Sequence, residues 1–259
     1  MRSRPTWLAL LVVSTLVAQD SEVPLALNLP TAQLLQDWKP GIRFTHRFAE
    51  PAQGHSKDLY GLDGGTYPGF GLDLGIGAVP GLNAQVYRTA DGKTLILALQ
   101  ERLLTSTHAL VSVRIERFDE TVQKVALPAG TVGISGASVQ VPMQFLVGDF
   151  NFSLVPTWLS RTSTKDRGLT TFGAGLGWSF LEGQSLLAEY YPRPSRLDSS
   201  TYEQGYALGY RFTTRGHRFT LLASNTQGTT AHQVLGGDYQ GGPRAIGSWS
   251  LGFNLVRVF

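Results

Sequence analysis

Eight charged residues could meet across a narrow bore: Arg43, Arg47, Asp73, Arg114, Glu116, Glu189, Arg211 and Arg218. Each falls in a stretch whose alternate residues are large and apolar, on the side that is not. Charges are costly against lipid, so these are expected to face inward and to pair with one another. Five bases against three acids leave a slight positive excess, which suits either an ion-paired plug or a constriction for small polar or anionic solutes. His46 is the other suggestive residue. By parity it shares a face with Ile42, Phe44 and Phe48, while Arg43, Thr45 and Arg47 point the other way. A histidine among aromatics at a membrane interface is expected to be structural and not a base or a ligand. His46, His55, His108, His217 and His232 form no pair two or four residues apart, so no metal site is expected. His55-Ser56-Lys57-Asp58 has the residue types of a hydrolase, but a triad draws its members from different elements, not from neighbours in one loop. No catalytic residue and no cofactor is therefore expected.

The elements that must position these charges are strands. Phe70, Leu72, Leu74 and Ile76 alternate with Gly71, Asp73, Gly75 and Gly77. Phe172 to Phe180 alternates with Gly173, Gly175, Gly177 and Ser179, and Tyr206 to Phe212 with Ala207, Gly209, Arg211 and Thr213. A soluble sandwich would place its bulky residues inward and Lys, Glu and Thr outward. Here the face opposite the bulky residues is rich in Gly, Ser, Asn and Gln, as a wet or tightly filled interior surrounded by lipid requires. Segments of about ten residues are long enough for tilted strands to cross a bilayer.

Composition agrees. The 259 residues are 42% apolar and only 16% charged, so the chain can bury a core. Residues 1–18, with Arg2 and Arg4 ahead of an apolar run from Trp7 to Val17, read as a secretory signal peptide, too short to span a bilayer. Its removal takes Lys plus Arg from 22 to 20 against 19 acids, a balance that implies no nucleic-acid partner. The absence of cysteine excludes disulfides, thiolate metal sites and a thiol nucleophile. No later apolar run of ~18 residues follows, so only a closed barrel could carry the chain through a membrane.

About twelve strands are expected, at 40–49, 68–77, 81–89, 93–101, 107–118, 137–147, 149–160, 170–180, 184–191, 204–213, 217–225 and 246–259, with ten to fourteen allowed. Apart from the short TADG connector, long and short links alternate, as in outer-membrane barrels with short periplasmic turns and long outer loops. Residues 19–39 read as a periplasmic lead-in, a short helix or a loosely held segment, and 40–259 as the barrel. The last strand, with Leu251, Phe253, Leu255 and Phe259 on one face, has the form of a C-terminal assembly signal, although Arg257 departs from its usual aromatic. Pairing of that strand with the first would remove both sheet edges. Tyr60, Tyr67, Trp158, Trp178, Tyr190, Tyr191, Tyr202, Tyr206, Tyr210 and Trp249 fall near strand ends, where interfacial girdles form.

GIRFTHRFAE, followed by YGLDGGTYPGFGLDLGIGAVPGLNAQVYRT, resembles a bacterial family of uncharacterised membrane-bound β-barrels. The likeness rests on His46-Arg47-Phe48, Gly61-Leu62-Asp63 and the strand from Gly71 to Gly77. It implies the fold and no particular activity.

The expectation is an all-β chain forming a single transmembrane antiparallel up-and-down barrel in the outer membrane of a Gram-negative bacterium. Its partners would be the lipid bilayer, the barrel assembly machinery and a small polar solute. The expected function is a narrow porin-like channel or a structural envelope component. Alternatives are a lipid-modifying enzyme with catalytic groups in the loops at 50–67 and 226–244, and a secreted soluble barrel binding an apolar ligand.

Overall fold

The computed structural model describes residues 26–50, 52, 62, 65–124, 130–161, 168–193, 204–236 and 249–259. The expected signal peptide, His55-Ser56-Lys57-Asp58, Tyr60, Gly61, Asp63 and Tyr202 lie outside them. The strands are β1 (Pro40–Phe48), β2 (Thr66–Gly75), β3 (Leu82–Thr89), β4 (Leu95–Thr105), β5 (Ala109–Lys124), β6 (Gly130–Gln140) and β7 (Met143–Val147). They continue as β8 (Phe150–Leu159), β9 (Leu169–Leu181), β10 (Gln184–Tyr191), β11 (Gly205–Thr214), β12 (His217–Ser224) and β13 (Ser250–Val258).

All thirteen belong to one antiparallel sheet. β6 and β7 share one place in it: β5 pairs with β6 from Arg114 upward and with β7 from Ala109 to Val111, and β8 follows the same division. Pro142, which has no N–H to give to a ladder, stands at the break. The result is a closed twelve-position barrel with one strand interrupted. The chain ends are joined by β1 against β13, in register from Gly41↔Val258 to Arg47↔Gly252. No edge of the sheet remains for Phe259 to expose, and its amide donates to the Pro40 carbonyl at 3.0 Å.

Parity decides what each face meets. Leu72, Leu176 and Leu208 are 49%, 41% and 56% exposed on the outer wall, and the residues alternating with them turn inward. Contiguous exposed apolar surface on this scale needs lipid as its solvent. Trp158, Tyr190 and Tyr206 lie outward near one rim, and Trp178 stacks on Phe150 near the other. Tyr191 departs from the girdle expectation, because it faces inward and is fully buried. On β5 the outer face changes from Ile115, 58% exposed, to the exposed Arg117–Asp119 ion pair, which marks the membrane boundary on that strand.

The rim that holds Pro40 and Phe259 carries tight links, and Gly81, Gly148, Gly183 and Gly216 take positive φ there. Glycine adopts that conformation without steric cost, so these hairpins stay short. The long connectors lie at the opposite rim. Two links there are short: TADG closes through a 3-10 turn at Asp91–Lys93, and the long link expected between 118 and 137 is largely strand, β5 and β6 pairing out to Lys124↔Gly130.

Candidate functional site

The candidate site is the lumen, and it is full. Of the sequence-selected charges, Arg43, Arg47, Asp73, Arg114, Glu116 and Glu189 are buried on inward positions. Arg211 is partly buried and bonds the inward Thr220 at 3.0 Å, and Arg218 alternates with Thr220 on the same face. The structure therefore brings the inward charges together.

Two ion pairs stiffen one side of the wall. Arg43 donates to both Asp73 oxygens at 3.0 and 3.2 Å, and Arg114 reaches Glu116 at 3.1 and 3.2 Å. Gln85 links them, donating to Asp73 and accepting from Arg114. Burial of this kind is tolerated only when each charge has a partner and further hydrogen bonds. Arg43 also lies over the Tyr87 ring at 5.3 Å, whose hydroxyl is 2.5 Å from Thr45 and donates to Thr229 at 2.9 Å.

Two segments fill the bore. The first is the lead-in, which is neither a helix nor a loosely held approach to the barrel. From residue 27 to residue 35 only Gln33 is not fully buried. The Glu189 carboxylate accepts the amides of Leu27, Asn28 and Leu29 at 2.7, 2.8 and 3.3 Å. Arg47 binds the Asn28 side chain at 2.7 Å and Asn254 at 2.9 Å. Leu27 and Leu29 join Val155, Tyr191, Ala207, Leu222, Val234 and Leu235 in an apolar cluster inside the barrel. Glycine makes the room: a β-carbon on Gly173 would stand 2.5 Å from Leu29, and one on Gly209 would stand 2.5 Å from Leu27.

The second segment is the connector after β12, which dips inward and forms α1 (Ala231–Gly236). Residues 228–236 are all buried. His232 stacks on Phe118 with ring centroids 4.0 Å apart, between Glu116 at 3.5 Å and Glu120 at 3.4 Å. Its Nδ1 is 3.1 Å from the Thr230 hydroxyl, which in turn donates to Gln233 at 2.8 Å. Burial disfavours a charged ring, but the two carboxylates outweigh it and hold the His232 pKa at about 9. The loop is thus latched to the wall by an imidazolium. A cavity of about 20 Å³ lies between the two segments beside Arg43, Tyr87 and Arg114, and one of about 40 Å³ lies between the lead-in and the wall beside Glu189 and Arg211. Each has room for a water or two.

Three acidic or titratable members of this site were not on the sequence-selected list. Glu120 follows Glu116 by four residues and so shares its face, but the expected strand stopped at 118 whereas β5 runs to Lys124. Asp91, buried, belongs to the TADG turn, and nothing in its local pattern marks it. His232 lay in a connector with no periodicity. Asp91 and Glu120 raise the buried lumen acids to five, with Asp73, Glu116 and Glu189, against the five arginines and the protonated His232, so the expected basic excess shrinks to one. His46 is on the outer face as expected, stacked on Phe253 at 4.9 Å. Leu251, Phe253 and Leu255 alternate with buried Ser250, Gly252 and Asn254, and Phe259 is exposed at the rim.

A closed antiparallel cylinder, lipid-facing outside and polar within, is a membrane-spanning β-barrel. The chain belongs to the family described as membrane bound beta barrel domain (DUF5777), whose model matches residues 24–259. No curated protein matches it. Among solved structures it is similar to the KdgM porin, with 8% identity, a TM-score of 0.50, and 85% of this chain and 99% of that one covered. Omp33 of Acinetobacter baumannii has 9% identity and a TM-score of 0.46, covering 86% of this chain and 99% of that one. Outer membrane phospholipase A of Escherichia coli has 10% identity and a TM-score of 0.47, covering 88% and 95%.

Proposed function

We propose that the protein is a narrow, gated, porin-like channel of the Gram-negative outer membrane for small polar solutes. It is exported by its N-terminal signal peptide and inserted by the barrel assembly machinery through Leu251, Phe253, Leu255 and Phe259. The observation that carries the reading is a polar wall beneath two filling segments. Gln85, Gln100, Ser112, Arg114, Glu116 and Gln140 line one side of the bore, where a rigid filled barrel would be served by apolar packing. The segments are held by hydrogen bonds, the Leu27 and Leu29 cluster, and the His232 ion pairs and stacking on Phe118, none of which is a ladder bond of the sheet, so they can leave without breaking it. Arg211 and Arg218 lie toward the rim of short turns, and Glu116 and Glu120 toward the other half of β5, so an anion entering from the short-turn side meets the favourable end. The reading assigns no catalysis: Thr230, the hydroxyl nearest His232, donates its hydrogen bond to the Gln233 side-chain oxygen.

Single-channel recording in planar bilayers tests this. The channel reading expects rare openings in the wild-type chain and frequent ones when the filling segments are destabilised. A barrel that stays silent in both forms is instead a structural envelope component, the second reading, which the ion pairs and filled bore favour. Release of fatty acid from phospholipid vesicles, measured by mass spectrometry, would replace both with an enzyme.

A further inference from the structure

The lead-in is held in an unusual way. Its main chain, more than its side chains, is what the wall recognises. Glu189 accepts three consecutive amides, and Asn254 donates to the Leu27 carbonyl at 2.7 Å. Gln144 accepts the Ala32 amide at 2.9 Å, and Gln100 donates to the Thr31 carbonyl at 2.7 Å. Arg211 donates to the Ala26 carbonyl. With its amide turned to satisfy both groups, Asn83 accepts from the Leu35 amide at 2.7 Å and donates to the Leu35 carbonyl at 3.3 Å. These six side chains come from β10, β13, β7, β4, β11 and β3, so partners for a peptide backbone are spread around the whole barrel. Pro30, which has no N–H, falls in the gap between the Glu189 and Gln144 contacts.

Main-chain groups are common to all peptides. A wall that satisfies five amides and four carbonyls through side chains makes those bonds whatever residues it holds. Identity is read where side chains are buried: in the apolar niche that Leu27 and Leu29 share, at the Asn28 side chain between Tyr191 and Arg47, and at Ala32, Leu34 and Leu35. We infer that the lumen is a binding site for an extended peptide, occupied here by residues 26–36 of the same chain, and open to a separate peptide when the tethered segment leaves. The inference deepens the channel reading by naming a solute class, and it rests on that reading only for the consequence that bound peptide blocks current.

The test uses the full chain carrying Leu27→Asp and Leu29→Asp, which drives the tethered segment from its niche, with Leu29→Asp alone as the milder variant should the double one not yield a folded barrel. A fluorescein-labelled peptide of residues 26–36 is titrated onto each variant in detergent micelles and followed by polarisation. Saturable one-to-one binding is expected, weakened at least ~10-fold by N-methylation of the amides matching Leu27, Asn28 and Leu29, because each lost charge-assisted bond is worth ~1.5 kcal/mol or more. Changing the residues that match Gln33 and Gln36 is expected to have no effect. In the wild-type chain the tethered copy competes at a millimolar effective concentration, so apparent affinity drops at least ~10-fold. Absence of saturable binding to the vacated variants, or binding indifferent to N-methylation, overturns the peptide site. Binding by a barrel that never conducts keeps the peptide site and sinks the channel. Conductance in vacated variants that bind no peptide does the reverse.

Discussion

Raising the pH should unlatch the inward loop. His232 titrates at about 9 in the folded barrel against 6.5 in an unfolded chain. That difference makes protonated docking worth ~3 kcal/mol. The folded value is the higher one, so the contribution is fully present below pH 6.5 and is lost as pH rises through 9. The groups facing the ring are Glu116, Glu120 and Phe118 from β5 and Thr230 from the loop itself. Arg114 lies behind Glu116, and Gln233 is anchored to Thr94 at 3.3 Å. Amide hydrogen exchange is the assay, with rates corrected for intrinsic pH dependence. The reporter is the Val234 amide, which donates to the Thr230 carbonyl at 3.1 Å. Its protection factor should fall by about two decades between pH 6.5 and 9.5. Amides in β9 and β12 should hold theirs. His232→Gln should start low at pH 6.5 and lack the fall between pH 8 and 9.5. A protection factor that is flat across the range in the wild-type chain, or that climbs with pH, would show that the ring docks neutral and that the latch argument fails.

Other perturbations address the wall, the filling and the lipid face. Asp73→Asn leaves Arg43 buried beside a neutral partner and should cost roughly 3–5 kcal/mol in urea unfolding from vesicles, with Arg43→Met plus Asp73→Leu recovering most of it. A cost no larger than that of an exposed substitution would mean that water reaches Arg43. Gly173→Phe places a ring where Leu29 and Leu235 now pack, 2.5 and 3.2 Å from the site of a β-carbon, so both filling segments should be displaced and openings in planar bilayers should become frequent. Unchanged silence in a folded variant would count against a removable filling. Leu208→Arg puts a charge on the lipid face, where the residue is 56% exposed, and should cost ~2–4 kcal/mol, whereas Thr214→Arg at the rim should cost ~1 kcal/mol or less. Equal costs at the two sites would contradict a bilayer centred on β11.

The barrel was legible because its signal is repeated. Each strand states the same rule, one apolar face and one small or polar face, and an error at one boundary does not spread to the next. β3, β8 and β10 accordingly begin and end within a residue of expectation. The closure of β13 on β1 was legible from a physical need, since a terminal aromatic strand cannot be left as an edge. β6 was read short because Gly130, Gly133 and Gly136 interrupt its alternation, and the break at Pro142 was hidden inside a continuous apolar pattern. The inward charges were legible by parity. Asp91 and His232 were not, because they act through tertiary contacts that leave no period in the chain.

The lumen's contents also left a trace, in the wall and not in the segments that fill it. Gly173, Gly175 and Gly177 on β9, and Ala207 and Gly209 on β11, face inward as a run of missing side chains. An unfilled bore would gain nothing from such a run. Glycine weakens a strand, and larger polar side chains would line a water-filled wall without that cost. At Gly173 and Gly209 another part of the chain occupies that space, whereas Gly175 and Gly177 lie against Ser153, Asn151 and Leu187 of the wall. Leu27 and Leu29 come within 2.5 Å of where two of those β-carbons would stand. In a barrel sequence, then, a cluster of inward glycines on neighbouring strands points to a tethered occupant on that side. The inward face of β3, β4 and β5 is mixed, with Asn83, Gln85, Gln100, Ser112, Arg114 and Glu116 beside an apolar cluster of Tyr87, Ile96, Ala98 and Phe118. Here the two sides are β9–β11 and β3–β5, and the occupant's main chain is bonded from both, by Glu189 and Arg211 on one and by Asn83 and Gln100 on the other. A segment braced between an apolar niche and a polar wall fills the bore, and the channel reading requires that it be withdrawn along it.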